Sequence, residues 1–322
     1  MIEFISYGAF FLTLALTYAI MCLGLNVQWG QTGLFNVGVA GFVGIGAYVS
    51  VLLTTPDAPD RFGGFDVPMV LGWLAGAAAA GLASALLGAL TLRLRSDYLA
   101  IATFGFAVVV QLAVLNLQWL TAGPFGISFI PRPFGWLASD PLAFGLLNLA
   151  TLVVITGGVY FGLEHLMRSP WGRVLRAIRE DETAATALGK DAASFRIQAF
   201  AVGGAIMGLA GAVQGHFIGY ISPDGYVPIL TFQVWAMLIV GGSGNNRGAI
   251  LGAIVVWALW AASGALISEV VPPDQQARAS ALKMVMIGVG ICLVLLLRPR
   301  GLLGERATVS RHVEATAAKD KT

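Results

Sequence analysis

Charged residues along this chain fall into a few narrow bands. No Asp, Glu, Lys or Arg occurs in 4–56, 67–92, 98–131, 141–163, 197–223, 225–246, 248–268 or 284–297. A helix rises about 1.5 Å per residue, so about 20 apolar residues cross the hydrocarbon layer of a bilayer. The gaps predict spans at 6–27, 34–54, 68–92, 98–120, 142–163, 197–219, 229–240, 249–267 and 281–297. Two of these depart from a simple span. The segment 229–240 is short and reads as a broken or re-entrant piece. The segment 34–54 follows polar NVQWGQTG (26–33), which predicts an irregular entry. The expected fold class is all-α, a polytopic transmembrane helix bundle of about nine spans, with eight to ten compatible with the pattern.

Composition agrees with that pattern. The chain is 57% hydrophobic and 11% charged, with a mean hydropathy of +0.80. A soluble domain carries about 25% charged residues. Orientation follows from Lys and Arg, which favour the cytoplasmic side. Loops 93–97, 164–196, 241–248 and the tail 298–322 hold 15 of the 19 basic residues. Their side is expected to be cytoplasmic, with the N-terminus outside and the C-terminus inside. No basic residue precedes the first apolar run, so that run reads as a retained span rather than a cleaved signal. The transmembrane domain is expected over 1–303. The polar tail 304–322 lacks an apolar stripe and reads as disordered.

Forty-one glycines are present, many inside the spans. Gly204 and Gly208 are four apart, as are Gly211, Gly215 and Gly219, and again Gly244, Gly248 and Gly252. Spacing by four places small residues on one helix face, where backbones can approach closely. Gly204, Gly208, Gly211, Gly215 and Gly219 are therefore read as helix-packing positions.

Catalytic chemistry is hard to find. There is no G-x-x-x-x-G-K-[ST] phosphate loop, and GGSGNNRG (241–248) fits neither that pattern nor the dinucleotide one. His165, His216 and His312 have no metal-ligand spacing, and no metal or cofactor is expected. Cys22 and Cys292 lie inside apolar runs and read as buried small hydrophobes. Ion-driven pumps often use Asp, Glu or His at membrane depth. Here His216 is the one ionisable residue deep in a predicted span, and it also reads as a hydrogen-bonded packing residue. Sodium coupling through backbone carbonyls stays open. The chain reads as a non-catalytic conduit whose energy comes from elsewhere.

One charged insert interrupts the apolar pattern: SPWGRVLRAIREDETAATALGK, 169–190. Ser169-Pro170 is a helix start. Trp171, Val174, Leu175 and Ile178 fall on one apolar stripe, while Arg173, Arg176 and Glu180 share another face. Arg176 and Glu180 have i,i+4 spacing. Asp181 can cap a second short helix, and Gly189 suits a left-handed end. Two short helices with a bend are predicted. A surface-lying membrane anchor would be mainly basic. Here Glu180, Asp181 and Glu182 follow three arginines, which fits a protein groove better, and the apolar ridge Trp171, Val174, Leu175 and Ile178 can either fill such a groove or pack back onto the helix bundle.

The order of motifs resembles the permease subunits of branched-chain amino acid ABC transporters, of the LivM-like kind. GLFNVGVAGFVGIGAY (33–48) resembles that family's GQLSxGHAAFFGIGAY, and RSDYLAIATFGFA (95–107) its R-x-x-YLAIxTLGFA. TAGPFGI (121–127), the insert, GYISPDGY (219–226), LIVGGSGNNRGAILGA (238–253) and LLLRPRGLLG (295–304) follow in order. Asn36, Val37, Gly38 and Val39 stand where the family has S-x-G-H, so its histidine is replaced by Val39. GNNRG stands where GxGSxxG is usual. The resemblance implies an importer of branched-chain amino acids in the bacterial inner membrane. Its implied partners are a second related permease subunit, two cytoplasmic ABC ATPases, a periplasmic substrate-binding protein and the membrane lipid, with no nucleic acid. It implies that the insert couples to the ATPase through Trp171, Gly172, Arg173, Arg176, Ile178, Arg179, Glu180 and Asp181. A path for a zwitterion with an aliphatic side chain needs apolar walls and a few neutral polar groups. Asn36, Gln111, Asn116, Gln214 and Gln233 are the candidates. Open alternatives keep the architecture and change the cargo to urea, short amides or simple sugars, or make the chain an ion-coupled carrier acting alone.

Overall fold

The computed structural model describes residues 2–57, 62–91, 96–270, 272, 285, 288–289, 292, 294, 296–298 and 301–305. Among these the architecture is helical, without a strand; one isolated antiparallel bridge pairs Ile127 with Ile221. The helices are α1 (Ile2–Leu25), α2 (Val39–Thr54), α3 (Met69–Thr91), α4 (Ser96–Asn116), the short α5 (Gln118–Thr121) and α6 (Pro141–Arg168). Then come α7 (Pro170–Glu180), α8 (Glu182–Ala187), α9 (Ala192–Ile218), α10 (Pro228–Gly241) and α11 (Asn246–Val270).

Among the described residues, six helical segments are long and apolar enough to cross a membrane: Ile5–Gly30, Met69–Thr91, Asp97–Asn116, Pro141–Arg168, Ala192–Ile218 and Asn246–Ala265. The other two apolar helices are shorter, α2 with 16 residues and α10 with 14. Their shortness has visible causes. The chain enters α2 through a π-helical turn (Asn26–Gly30) and a non-helical stretch to Gly38, so residues of the apolar run are spent before the helix begins. α10 starts only at Pro228, after a 3₁₀ turn at Pro223–Tyr226, and stops at Gly242, whose φ of 111° no helix accepts. The expected segment 281–297 and the basic loop 93–97 lie largely outside the described residues. So does the tail beyond Glu305. The described chain stays packed through Glu305, two residues past the expected domain boundary at 303.

α2 is the central element. It lies against α3 and α9, with α4 and α10 on its other sides. Twelve of its 16 residues are buried, and none is charged. α1 packs on α6, α9 and α11, and α10 pairs with α11.

Glycine sets the distance between these helices. A Cβ on Gly46 would lie 2.1 Å from the Gly208 carbonyl oxygen, and one on Gly76 would lie 2.4 Å from the Gly46 carbonyl oxygen. On α9, a Cβ at Gly204 would sit 2.3 Å from Ser84 Cβ, at Gly208 2.3 Å from Ala80 Cβ, and at Gly211 2.0 Å from the Val43 oxygen. No side chain fits at such separations. Gly215 is looser: its nearest neighbours would be methyl groups of Ile221 at 3.0 Å and Val51 at 3.4 Å. Gly219 is different again. It ends α9 in the left-handed region with φ 78°, where any larger residue would also meet the Arg132 guanidinium.

The connections gather at two opposite ends of the bundle. At one end the Phe62 N–H donates to the Trp119 carbonyl at 2.7 Å, Ile127 bridges Ile221, and Arg132 donates to the Ile218 carbonyl at 2.7 Å. At the other end lie the π turn, α7–α8, the 242–245 loop and residues 301–305. Leu302 and Leu303 donate their N–H groups to the Val240 and Gly241 carbonyls, at 2.8 and 2.9 Å. They satisfy acceptors that the end of α10 would otherwise leave free.

Gly211→Ala is predicted to cost about 1–3 kcal/mol by overpacking, because the obstacle is backbone and cannot rotate away. Gly158, whose Cβ would meet nothing within 4 Å, serves as the control. Gly158→Ala is expected to leave stability unchanged or raise it by up to about 1 kcal/mol. Thermal melting of the two variants in detergent checks the contrast; equal melting points would contradict the packing described.

Candidate functional site

The irregular entry into α2 is held by a network of side-chain hydrogen bonds. A chain that leaves its helix within an apolar bundle exposes N–H and C=O groups that water cannot reach, each costing several kcal/mol unless paired. The partners here are side chains. Asn36, wholly buried, receives Gly38 N–H on Oδ1 at 2.7 Å and donates from Nδ2 to Gln28 Oε1 at 2.5 Å. Gln28 Nε2 donates in turn to the Phe200 carbonyl on α9 at 2.7 Å. Thr103 of α4 accepts from Val37 N–H at 2.9 Å, and Thr231 of α10 accepts from Ala40 N–H at 3.0 Å. Trp235 Nε1 donates to the Asn36 carbonyl at 2.9 Å. Trp29, Phe35 and Trp235 pack ring to ring around the same point, with Trp29 and Trp235 centroids 4.2 Å apart. Phe200 and Thr103 each lie about two turns into their helices, so α2 begins inside the bundle rather than at its edge.

The charged insert forms the expected pair of helices, α7 and α8. Asp181 caps α8 by accepting from Ala184 N–H at 2.9 Å, and Gly189 takes φ 77°. Two details differ from the sequence reading, at Ser169 and Arg176, and the structure decides a third, the destination of the apolar stripe. Ser169 caps no N-terminus; its hydroxyl donates back to the Leu166 carbonyl at 2.7 Å, finishing α6. Arg176 does not pair with Glu180 but donates to the Met167 carbonyl at 3.1 Å. The apolar stripe faces this chain's own bundle: Leu175 and Ile178 are buried, and Trp171 Nε1 donates to Gln198 on α9 at 2.9 Å. Gly172 permits this seating, since a Cβ there would lie 2.3 Å from the Met167 oxygen. What faces outward is Arg173, Glu180, Asp181 and most of α8, ending in Leu188 at 80% exposure. An Arg196–Glu182 pair at 2.8 Å ties α8 to α9.

A polar cluster joins this insert to the bundle. Asn26 donates to Asn246 Oδ1 at 2.9 Å and accepts from Gly244 N–H at 2.8 Å. Gln31 Nε2 donates to the Gly244 carbonyl at 2.8 Å. Asn246 reaches Glu164 at 3.3 Å, and Arg247 donates to the Tyr160 hydroxyl at 3.0 Å. Thus GGSGNNRG is a helix-connecting turn whose backbone is read by asparagine and glutamine from the π turn. Arg179 of α7 donates to the Gly30 carbonyl and pairs with Glu305 at 2.8 Å.

Asn36 is the one suggested path residue at the broken entry. Gln111, Gln214 and Gln233 are partly buried and make no side-chain hydrogen bond within the described residues. Asn116 is exposed and donates to its own helix at the Leu112 carbonyl, 2.7 Å away. His216 is fully buried near the far end, with Thr54 Oγ1 2.8 Å from Nε2 and Trp73 Nε1 3.2 Å from Nδ1. Its hydrogen-bond partners are neutral. Gln28, Thr103, Thr231 and Trp235, which with Asn36 form a clasp on the broken entry, were missed in the sequence. The available signal was a polar residue inside an otherwise apolar run, which marks a hydrogen-bonding need without naming its partner.

Comparison with known proteins is consistent along the chain. The family model described as "Branched-chain amino acid transport system / permease component" matches residues 8–295. The high-affinity branched-chain amino acid transport system permease protein LivM of Escherichia coli (strain K12) is 34% identical over 316 residues, covering 90% of this chain and 68% of that protein. A probable branched-chain amino acid transport permease protein LivM of Methanocaldococcus jannaschii is 27% identical, covering 74% of this chain and 75% of that protein. The permease protein LivH of Escherichia coli (strain K12) is 26% identical, covering 91% and 92%. No solved structure matches the chain. With its broken central helix, its charged helical insert and a family match over most of its length, the chain belongs to the branched-chain amino acid transport permease family.

Proposed function

We propose that this chain is the non-catalytic permease subunit of an ABC importer that carries branched-chain amino acids across the bacterial inner membrane. The observation that carries the reading is the outward face of α7–α8. A docking element is built at one end of the bundle, in a family member with no phosphate loop of its own. The separate subunits are two cytoplasmic ATPases, a second related permease and a periplasmic binding protein. Family membership and the division of labour in the sequence support this composition.

The proposed topology has nine spans, including α2, α10 and the segment 281–297. The end that holds the π turn, α7–α8, the 242–245 loop and residues 301–305 is cytoplasmic. Lys and Arg concentrate there, as the positive-inside tendency requires. The path runs along an interface with the second permease. Gln111, Gln214 and Gln233 have amides free for weak contacts with a zwitterion, and Asn116 stands near the mouth. Asn36 shapes the path by holding the break in place, since its amide is already engaged. Gly204, Gly208 and Gly211 keep the bundle tight while partners bind its two conformations unequally.

Docking on the ATPase uses the exposed surface: Leu188 at the tip of α8, with Arg173, Glu180 and Asp181 beside it. Trp171, Gly172, Arg176 and Ile178 hold that surface on the bundle. Burying a leucine contributes about 1.5–3 kcal/mol, so Leu188→Asp is predicted to weaken ATPase co-purification by about tenfold or more. The permease is expected to insert and purify normally. Unchanged ATPase retention in Leu188→Asp and in Arg173→Glu would reject docking through this face.

The chain alone is expected to transport nothing and hydrolyse nothing. Proteoliposomes holding it alone, with and without ion gradients, are predicted to take up leucine no faster than empty ones. Uptake driven by an ion gradient would make it a carrier acting alone. Urea uptake by the full complex, with leucine excluded, would move the cargo assignment to the amides.

A further inference from the structure

Arg179 occupies a position that its neighbours on α7 do not. Arg173, although exposed, donates to the Arg168 carbonyl at 3.4 Å and Arg176 to the Met167 carbonyl, so both bond within the α6–α7 corner. Arg179 turns inward and divides its guanidinium between two segments. Nη1 donates to the Gly30 carbonyl, where the π turn ends. Nη2 donates to both oxygens of Glu305, at 2.8 and 3.0 Å. Its stem passes Gly33, whose φ of 72° turns the chain, with a Cβ there placed 3.3 Å from Arg179 Cγ.

Both segments lead to the same residue. From Gly30 the chain runs back to Gln28, whose amide holds Asn36. From Glu305 it runs back through Leu303 and Leu302, which donate to the last carbonyls of α10. α10 carries Trp235, whose indole donates to the Asn36 carbonyl. The loop between α10 and α11 closes the ring, because Gly244 is bonded to Asn26 and Gln31 and lies against Glu305. A guanidinium suits such a junction, with several donors in a fixed plane, while an ammonium group lacks that fork.

We propose that Arg179 is the positioning residue that transmits movement of the α7–α8 insert to the broken entry of α2, acting through Gly30 and Glu305 together. A tilt of α7 pulls on both routes at once, so the break moves with the insert rather than being cushioned by side-chain packing. The inference rests on the docking reading of the insert given above. It adds that docking and transmission reside in different residues, the first on the outer face and the second on the inner one.

The test uses the full complex in proteoliposomes, with leucine as cargo and ATP supplied at the cytoplasmic face. ATP hydrolysed per leucine taken up is compared for wild type, Arg179→Gln, Arg179→Lys and Glu305→Gln. The first removes both routes, and the last leaves the Gly30 bond intact. ATPase retention on purification is measured alongside. Arg179→Gln is predicted to retain the ATPase and to raise the ATP cost per leucine about tenfold, the scale of one lost charge-assisted hydrogen bond. Arg179→Lys and Glu305→Gln are expected to fall between it and wild type. An unchanged ratio in Arg179→Gln overturns the proposal, as does a change that appears only with loss of the ATPase. Should Arg179→Gln fail to assemble, Glu305→Gln decides alone: a raised ratio with the ATPase bound supports the proposal, and an unchanged ratio overturns it. A wild-type complex without ATP-dependent leucine uptake would overturn the functional reading itself, an outcome distinct from a coupled wild type with a coupled variant.

Discussion

A peptide group in an apolar bundle has to find a hydrogen-bond partner inside the protein. Most of this chain meets that demand by being helical. Between Gly30 and Val39 it does not, and the rest of the bundle is arranged around the exception. Asn36, Thr103, Thr231 and Trp235 come from the break itself and from two flanking helices, and Gln28 adds the link to α9. Such a break is tolerated in a membrane where it is buried in protein or lines a cavity. Its value to a transporter is that a non-helical segment can change conformation at lower cost than a continuous span. Discontinuous helices near the binding region of transporters follow the same logic.

Thr103 and Thr231 have short side chains, so the helices that carry them have to stay close. On the α4 side glycine meets this requirement, since a Cβ at Gly38 would lie 2.5 Å from the Thr103 carbonyl oxygen and one at Gly41 3.0 Å from Ala107 Cα. Aromatic packing fills what remains, with Phe42 against Phe106 and Phe200. Charge is kept away from this core. It collects where α7, the 242–245 loop and residues 301–305 meet, a place where water is available and where a soluble motor would attach under the proposed reading. The three ion pairs found among the described residues all involve the α6–α9 region, and one of them reaches Glu305. Such partly exposed pairs add little stability one by one. Their use is to fix direction, as Arg179 does by pointing into the bundle.

Much of this was legible before any coordinates. The charge gaps marked the six described helices long and apolar enough to cross a membrane, and the polar NVQWGQTG marked the irregular entry. The short segment 229–240 announced the short α10. The stripe Val174, Leu175, Ile178 and the capping Asp181 described α7 and α8 nearly residue by residue. Periodicity could not say which body the stripe would meet, because burial against one's own chain and burial against a partner leave the same pattern. The i,i+4 spacing of Arg176 and Glu180 likewise lost to a nearer acceptor, the Met167 carbonyl at the α6–α7 corner. The clasp was invisible for another reason. Thr103, Thr231 and Asn36 are far apart in sequence, and a hydroxyl in a span is ordinarily satisfied by its own helix, as Thr54 and Thr91 partly are. Of the suggested path residues, Asn36 proved to sit at the centre of the network, while Gln111, Gln214 and Gln233 were left without partners in the described chain.

The central claim is that buried side chains hold the broken entry of α2 closed. Amide hydrogen exchange over residues 33–41, measured on the protein in nanodiscs, tests it directly. The account predicts slow exchange at Val37, Gly38 and Ala40 in the wild type. It predicts exchange at least about tenfold faster in Asn36→Val and Thr231→Val, since the first removes two hydrogen bonds and the second one, each worth about 1 kcal/mol or more. The α9 amides around Gly208 are expected to stay protected in both variants. Fast exchange of 37–40 in the wild type, or equal protection in the variants, would contradict it.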